Sequence, residues 1–386
     1  MFFTKQTKMS LKLIKIRKET QKALALLPGD FKELYQTLYQ KKDFVNPSNF
    51  MDKPKEKQKF EDRSLDITLR PKIWDEYIGQ SGIKKNLKIL LGAAKERQEP
   101  VEHLLFYGPA GLGKTTLAHI IAKEMGSSLK ISSGPAIEKV GDLASVLTNL
   151  SDGDILFIDE AHRLNKTVEE VLYPAMEERS LDIIIGKGPS ARTIQLELPA
   201  FSLVAATTRI ALLSPPLRSR FSGGIFRLEF YSEDEIGQII RRSAKILGMT
   251  IEESAVKKIS SRSRFTPRTA NRLLKRCRDF AQINKRDSID ANSAEKTFEL
   301  LDIDEKGLEI ADKNILLTLI NKFNGGPVGL QTLAAAISED TATIEEVSEP
   351  YLIQLGFIER RPRGRVVTPR AYEHLGIKCP TQDNLL

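Results

Sequence analysis

From about Arg63 to Tyr231 short apolar runs alternate with amphipathic stretches. His103–Tyr107, Ile155–Asp159 and Ser202–Ala206 are brief and apolar, the length of buried strands rather than of helices. The first leads into a glycine-rich loop and then a helical stretch. Strands alternating with helices predict a parallel sheet covered on both faces. Within this region Leu181–Ile185 and Thr193–Leu198, joined through Gly186-Lys-Gly-Pro189, have the alternation and turn chemistry of a β-hairpin. From residue 232 the pattern changes. Residues 232–302 are helical and rich in arginine with no convincing strand, and Asp234–Leu247 and Thr266–Asn284 are the clearest helices. After Gly307 comes a unit of short helices, ending in the turn-rich, basic segment Phe357–Pro369. The domains expected are an extension over 1–61, a large α/β domain over 62–231, a small helical domain over 232–302 and a third over 303–380.

Composition narrows the class. The chain has 386 residues, 41% hydrophobic and 28% charged, enough for two or three domains with sizeable cores. No uncharged apolar run approaches about 18 residues, so no transmembrane helix is expected. Lysines and arginines at 5, 8, 12, 15, 17 and 18 interrupt any N-terminal apolar stretch, which argues against a secretory signal. Cys277 and Cys379 cannot make a disulfide framework or a cysteine-rich zinc site, so a reducing cytoplasm is the simplest compartment. His103, His119, His162 and His374 lack metal-ligand spacing, and Trp74 reads as core. The net charge of +8 resides in the first 60 residues, where 14 Lys/Arg face 6 Asp/Glu; the remainder balances at 45 against 45. A basic extension with a helix around Phe31–Tyr39 and a Lys-rich stretch, Lys53–Lys59, thus precedes a neutral body. It reads as a solvated tail, with Met51 as an alternative start, or as an auxiliary DNA-contacting arm.

Gly108-Pro-Ala-Gly-Leu-Gly-Lys-Thr-Thr116 fits the P-loop pattern, with a strand before it and a helix after it. Its backbone N–H groups and the helix N-terminus cradle phosphate oxygens. Glycines 108, 111 and 113 admit close approach, Lys114 neutralises the β/γ-phosphates, and the Thr115 hydroxyl ligates Mg²⁺. Asp159 lies 45 residues after that lysine, at the end of the second strand, and Glu160 follows it. Asp159 is expected to hold the Mg²⁺ shell, and Glu160 to orient and deprotonate the attacking water. Ala205-Ala-Thr-Thr208 ends the third strand and places Thr208 to sense the γ-phosphate. Pro216-Leu-Arg-Ser-Arg-Phe221 supplies arginines of the kind donated in trans to a neighbour's nucleotide. Thr266-Pro-Arg268 reads as an N-cap, a first-position proline and a cation in the first helical turn, where the dipole disfavours it. Arg268 therefore points to an anionic partner.

With Leu69-Arg-Pro71, Tyr77-Ile-Gly-Gln80, His162-Arg-Leu164, Thr207-Thr-Arg209, Leu217-Arg-Ser-Arg-Phe221, Gly325-Gly-Pro-Val-Gly329 and Pro362-Arg-Gly-Arg365 added, the chain from about 62 to 378 resembles the RuvB family. These are AAA+ motors that drive Holliday-junction branch migration. The resemblance implies a large AAA+ domain, a helical lid and a C-terminal winged helix, hexameric rings around duplex DNA, and a RuvA partner docked on the 181–198 hairpin. RuvC resolvase would join the same complex. It further implies adenine-side contacts from Leu69 and Arg70, phosphate and Mg²⁺ contacts from Gly111, Gly113, Lys114, Thr115 and Thr116, and a trans finger at Arg220. Glu177, Glu178 and Arg179 match a nucleotide-contact segment, Tyr231 a hinge contact, and Arg268 the lid arginine. Ala110, Ala161 and Arg179 depart from the usual residues, and Phe221-Ser-Gly-Gly224 is one residue longer than the usual pattern.

Glu359–Arg365 packs Arg360, Arg361, Arg363 and Arg365 into seven positions around Pro-Arg-Gly turn chemistry, so a basic loop is expected. Thr341–Leu355 before it has helical spacing, with Pro350 placed to open a second short helix, and Val366-Val367 after it looks like a short strand. A wing of this kind contacts phosphates without sequence preference. Arg360, Arg363 and Arg365 are the expected DNA contacts. The arginines around 262–278 read instead as a solvated or subunit-facing surface. The reading is an ATP-driven motor on four-way junctions; the alternative is an AAA+ loader or assembly switch that binds DNA without translocating.

Overall fold

Residues that alternate in the apolar runs face opposite sides of one sheet. Strands β1 (Leu104–Tyr107), β2 (Leu129–Ser133), β3 (Ile155–Asp159), β4 (Ser180–Ile185), β5 (Arg192–Glu197), β6 (Ser202–Thr207) and β7 (Gly224–Arg227) lie in the first part of the chain. Five of them form a parallel sheet in the order β2-β3-β6-β1-β7. Leu104, Phe106, Ile155, Phe157, Val204 and Ala206 pack on one face against Leu87, Leu91, Leu117 and Ile121 from helices Ser81–Arg97 and Lys114–Met125. Leu105, Leu156, Ile158, Leu203 and Ala205 pack on the other against Leu143, Leu147 and Leu172 from Val140–Thr148 and Lys166–Glu177. Period two in the strand thus becomes a covered sheet with two cores. The computed structural model describes residues 67–185 and 192–379. The basic extension, its expected helix and the Gly186–Pro189 turn lie outside the described residues.

β4 and β5 pair antiparallel, with Leu181 opposite Leu196, as the hairpin reading expects. The helical region is less uniform than expected. Glu233–Ile246, Glu253–Ser261, Pro267–Ile283 and Ala291–Leu300 are helices, but β8 (Thr250–Ile251) and β9 (Ser288–Ile289) pair in parallel among them. Two residues are too few to leave a period in the sequence. The first helix opens on a capping box, Ser232 with Glu235. Thr266 occupies the N-cap position of the third, yet its hydroxyl does not cap; it donates to Ser263 O and shares a hydrogen bond with Thr269 Oγ1. Ile236, Ile240, Leu273 and Leu274 extend the first sheet core into this domain.

The last domain has its own core, including Leu316, Leu319, Leu333, Leu352, Ile358, Val367 and Tyr372. Ile310–Phe323 and Leu330–Ile337 are followed by a helical run: Thr341–Thr343, a π turn Ile344–Ser348, and Glu349–Gln354. Pro350 lies at the start of the last piece and has no N–H to donate, so the i−4 ladder is broken there. The basic segment is the hairpin that a winged helix needs, β10 (Ile358–Arg361) antiparallel to β11 (Gly364–Val367), with only Pro362 and Arg363 left for the turn. Val366-Val367 falls in β11 as expected, whereas the charged residues of β10 hid that strand, because no apolar alternation marks it. Helices followed by such a hairpin make a winged helix. Arg262 and Arg264 are not the solvated arginines expected. Arg262 is buried, bonded to Asp304 O and Glu295 and laid over the Phe298 ring, and Arg264 pairs with the buried Asp312. Among the described residues no helix is long and apolar enough to cross a membrane.

Candidate functional site

Parallel β1, β3 and β6 are adjacent, so the loops leaving their C-terminal ends gather at one edge, where open α/β sheets bind ligands. The P-loop leaves β1, Asp159-Glu160 ends β3, and Thr207-Thr208 ends β6. The loop's backbone is sterically committed. Gly108 has φ +136 and a Cβ there would stand 2.6 Å from Leu228 O; Gly113 has φ +100 and faces the Tyr77 ring. The helix starting at Lys114 then presents its first N–H groups to the loop.

Lys114 is 8% exposed. Its ammonium donates to Gly108 O at 2.7 Å and Pro109 O at 2.8 Å, folding it over the loop. Burial strips its water and pushes its pKa down to about 8, with the Arg268 charge adding and Asp159 opposing. Thr115 Oγ1 donates to Asp159 Oδ2 at 3.4 Å, which sets a hydroxyl and a carboxylate side by side. Asp159 Oδ1 accepts the Glu160 N–H at 2.9 Å. Glu160 has φ 48, a left-handed conformation that costs a non-glycine residue about 1 kcal/mol and is retained where function requires it. Its carboxylate reaches Arg163 at 3.3 Å at the surface. Thr208 Oγ1 is buried with no hydrogen-bond partner among the described residues, whereas Thr207 Oγ1 is engaged by His162 Nδ1 and the Arg209 N–H. Burial holds His162 below its ordinary pKa.

An apolar cleft opens beside this edge, walled by Leu69, Pro71, Tyr77, Tyr231, Ile239 and Pro267, with Gly113 and Thr116 at its floor. Tyr231 Oη donates to Leu112 O at 3.1 Å and shares a 3.3 Å hydrogen bond with Tyr77 Oη. Burial raises both phenols, Tyr231 to about 12. Arg242 bonds Leu69 O and Glu76, fixing the cleft's rim. Gln80 exchanges hydrogen bonds with the Glu229 backbone and so ties the segment before Tyr231 to the large domain. Arg268 meets the P-loop from the lid: its N–H reaches Gly111 O at 3.4 Å, its side chain is exposed, and among the described residues no carboxylate pairs with it. Arg70 lies near His119, whose pKa burial and that charge both lower. Tyr77 and Arg242 were not foreseen as site residues. Tyr77 lies in the quoted Tyr77–Gln80 motif, but Arg242 has no local signal, since its partners are more than 160 residues away.

Two expected groups sit elsewhere. Arg220 bonds Glu177 Oε2 at 3.0 Å and Pro216 O at 2.8 Å, and lies 4.4 Å over the Tyr173 ring. It forms a surface cluster with Glu177, not a contact with its own P-loop. Glu178 and Arg179 are exposed beside that cluster, and none of the three lines the cleft. On the wing, Arg360 and Arg365 share one carboxylate. Each guanidinium gives Nε and Nη2 to the two oxygens of Glu349, at 2.7–3.2 Å. Those four bonds hold Glu349 below its ordinary pKa despite burial. Arg363, in the turn, is exposed.

The described domains match three family models in sequence: the Holliday junction DNA helicase RuvB P-loop domain over 69–228, the RuvB AAA lid domain over 231–304, and the RuvB C-terminal winged helix domain over 305–376. The chain belongs to the RuvB family. The Holliday junction branch migration complex subunit RuvB of Dehalococcoides mccartyi (strain CBDB1) is 56% identical over 324 residues, 84% of this chain and 93% of that protein. The solved Thermotoga maritima RuvB Holliday junction branch migration motor superposes with a TM-score of 0.75 at 49% identity, covering 81% of this chain and 100% of that one. A point mutant of the same protein gives 0.76 at the same identity and coverage. The RuvB family is one of AAA+ P-loop ATPases, which makes ATP the substrate and Mg²⁺ the cofactor. The residues present fit both. Lys114 is a buried cation bonded only to carbonyls, Thr208 keeps an unpartnered buried hydroxyl, and Thr115 with Asp159 offers hard oxygens of the kind Mg²⁺ takes. Bound there, Mg²⁺ would neutralise charge on the phosphates.

Proposed function

We propose that this chain hydrolyses ATP at the edge formed by β1, β3 and β6 and uses the energy to drive branch migration of Holliday junctions. It works as a hexameric ring on duplex DNA with RuvA, docked on the 181–198 hairpin, and with RuvC in the same complex, in the cytoplasm. The observation that carries the reading is the union, in one chain, of a phosphate cradle with a winged helix whose turn exposes Arg363, matched from 69 to 376 by RuvB domains. The domain divisions proposed are 62–231, 232–302 and 303–380.

Each residue then has a role. Gly111, Gly113, Lys114 and Thr116 bind phosphate, and Leu69, Arg70 and Tyr231 bind the base side. Thr115 and Asp159 hold Mg²⁺. Glu160 takes the proton of the attacking water, and Thr208 fixes that water or the γ-phosphate. Arg268 reads the nucleotide from the lid. Arg220 acts across the ring on a neighbour's nucleotide, with Glu177, Glu178 and Arg179 beside it at that interface. The support for a trans role is the cluster's position, bonded to itself and away from its own cleft. Arg360, Arg363 and Arg365 contact DNA phosphates, Arg363 from the exposed turn and the other two through guanidinium edges that Glu349 leaves over.

The test is migration of a synthetic four-way junction with MgATP by the protein alone, with RuvA, and with Arg220→Ala. RuvA-stimulated migration lost in the variant is the expected result. ATP hydrolysis with no migration under any condition would replace the motor reading with that of a loader or assembly switch.

A further inference from the structure

Arg209 follows Thr208 directly, and its backbone N–H is held at 2.9 Å by Thr207 Oγ1. Its side chain leaves the ATPase domain. Nη2 stands 2.9 Å from Glu345 Oε2 and 2.9 Å from Glu346 Oε1, both on the π turn of the winged helix. The arginine is 28% exposed and the acids about one third, so the contact is partly shielded from solvent. Four residues on, the same helical run carries Glu349, which grips Arg360 and Arg365. Glu345 also lies 3.9 Å from Arg360 Nη2. An acidic row at 345, 346 and 349 therefore spans from the end of the phosphate-sensing strand to the wing, facing three arginines with three carboxylates. The row runs through a π turn, a widened register often found at functional positions, next to the ladder break at Pro350.

We propose that Arg209 is a positioning residue for ATP hydrolysis, through which DNA on the wing adjusts Thr208. This rests on the reading of the wing as the DNA contact. A phosphate docked on Arg360 competes with Glu345 and Glu349 for its guanidinium. Glu345, released from Arg360, keeps Arg209 as its cation and draws closer to it. Arg209 is one residue from Thr208, and the Thr207 hydroxyl couples its backbone N–H to His162. A shift at the π turn therefore reaches the buried, unpartnered Thr208 hydroxyl within the same subunit.

The experiment uses the full-length protein, linear duplex DNA and MgATP. Glu345 stands between Arg209 and Arg360, so Glu345→Gln should leave melting temperature and DNA-free hydrolysis within about two-fold or unchanged and duplex affinity no weaker, while DNA-stimulated hydrolysis falls by at least about five-fold, the lower range of coupling between linked sites. Arg209→Gln should lose the same stimulation, and the double variant should lose no more, since both act on one contact. Full stimulation in Glu345→Gln, or losses that multiply in the double variant, would overturn the proposal. An unaltered protein that binds duplex without any rise in hydrolysis overturns the proposal alone; one that fails to bind duplex removes the wing reading with it.

Discussion

Nucleotide binding should draw a proton onto Lys114 at slightly alkaline pH. Burial lowers its pKa from 10.5 to about 8 in the nucleotide-free protein, so about half of the sites hold a neutral lysine at pH 8, about one in ten at pH 7 and about nine in ten at pH 9. Phosphates facing the ammonium restore its charge. MgATP binding should therefore take up about half a proton per site at pH 8, and affinity should weaken towards tenfold per pH unit above it. The sign for stability is the reverse. The unfolded lysine titrates near 10.5, above the folded one, so between pH 8 and 10.5 the unfolded chain holds more protons and Lys114's contribution to stability rises with pH. Below pH 8 its desolvation cost is fully present. The gap corresponds to about 3 kcal/mol as an upper figure, which the bonds to Gly108 O and Pro109 O partly offset. Calorimetric titration of MgATP into Glu160→Gln protein, in two buffers of different ionisation enthalpy at pH 8, reads the proton count directly. Lys114→Arg in that background keeps its charge and should take up none. A buffer-independent enthalpy at pH 8 with Lys114 intact, or equal uptake with arginine there, would refute the reasoning.

Glu160→Gln should keep nucleotide binding and lower hydrolysis by about 10²-fold or more, read by steady-state phosphate release. Arg220→Ala should lower hydrolysis by about 10³-fold in assembled protein, and mixing it with Lys114→Ala subunits should restore part of the activity if the finger acts across the ring. Arg363→Ala should weaken duplex binding uniformly across sequences and reduce the salt slope of binding by about one, measured by anisotropy at several salt concentrations.

Much of the catalytic edge was legible because it is local. β1, β3 and β6 are buried on both faces, so each shows as an unbroken apolar run, and each ends in the residue type its chemistry needs. The edge strand β2 escaped notice because Lys130 and Ile131 are exposed and its pattern resembles a loop. β7 is also an edge strand, with alternate exposed positions. Pairings distant in sequence left no trace at all. Nothing near Arg209 announces Glu345 and Glu346, and nothing near Arg220 announces Glu177, because ion pairs are set by the fold that brings the partners together. The two wing arginines read as free cations for the same reason, although Glu349 lies only eleven positions before Arg360.

The apolar core that runs from the sheet into the lid, while the winged helix keeps one of its own, has an evolutionary corollary. A lid taken from a distant relative would bring side chains shaped for a different sheet, and Leu273 and Leu274 would meet a surface they had not changed alongside. The ATPase domain and lid must therefore diverge together, as one unit of inheritance. The winged helix meets its neighbours through ion pairs such as Arg264–Asp312 and Arg209–Glu346 and through Phe265 against Tyr351, a seam that a few paired substitutions can rewrite, so it is the part of this chain most readily exchanged between lineages.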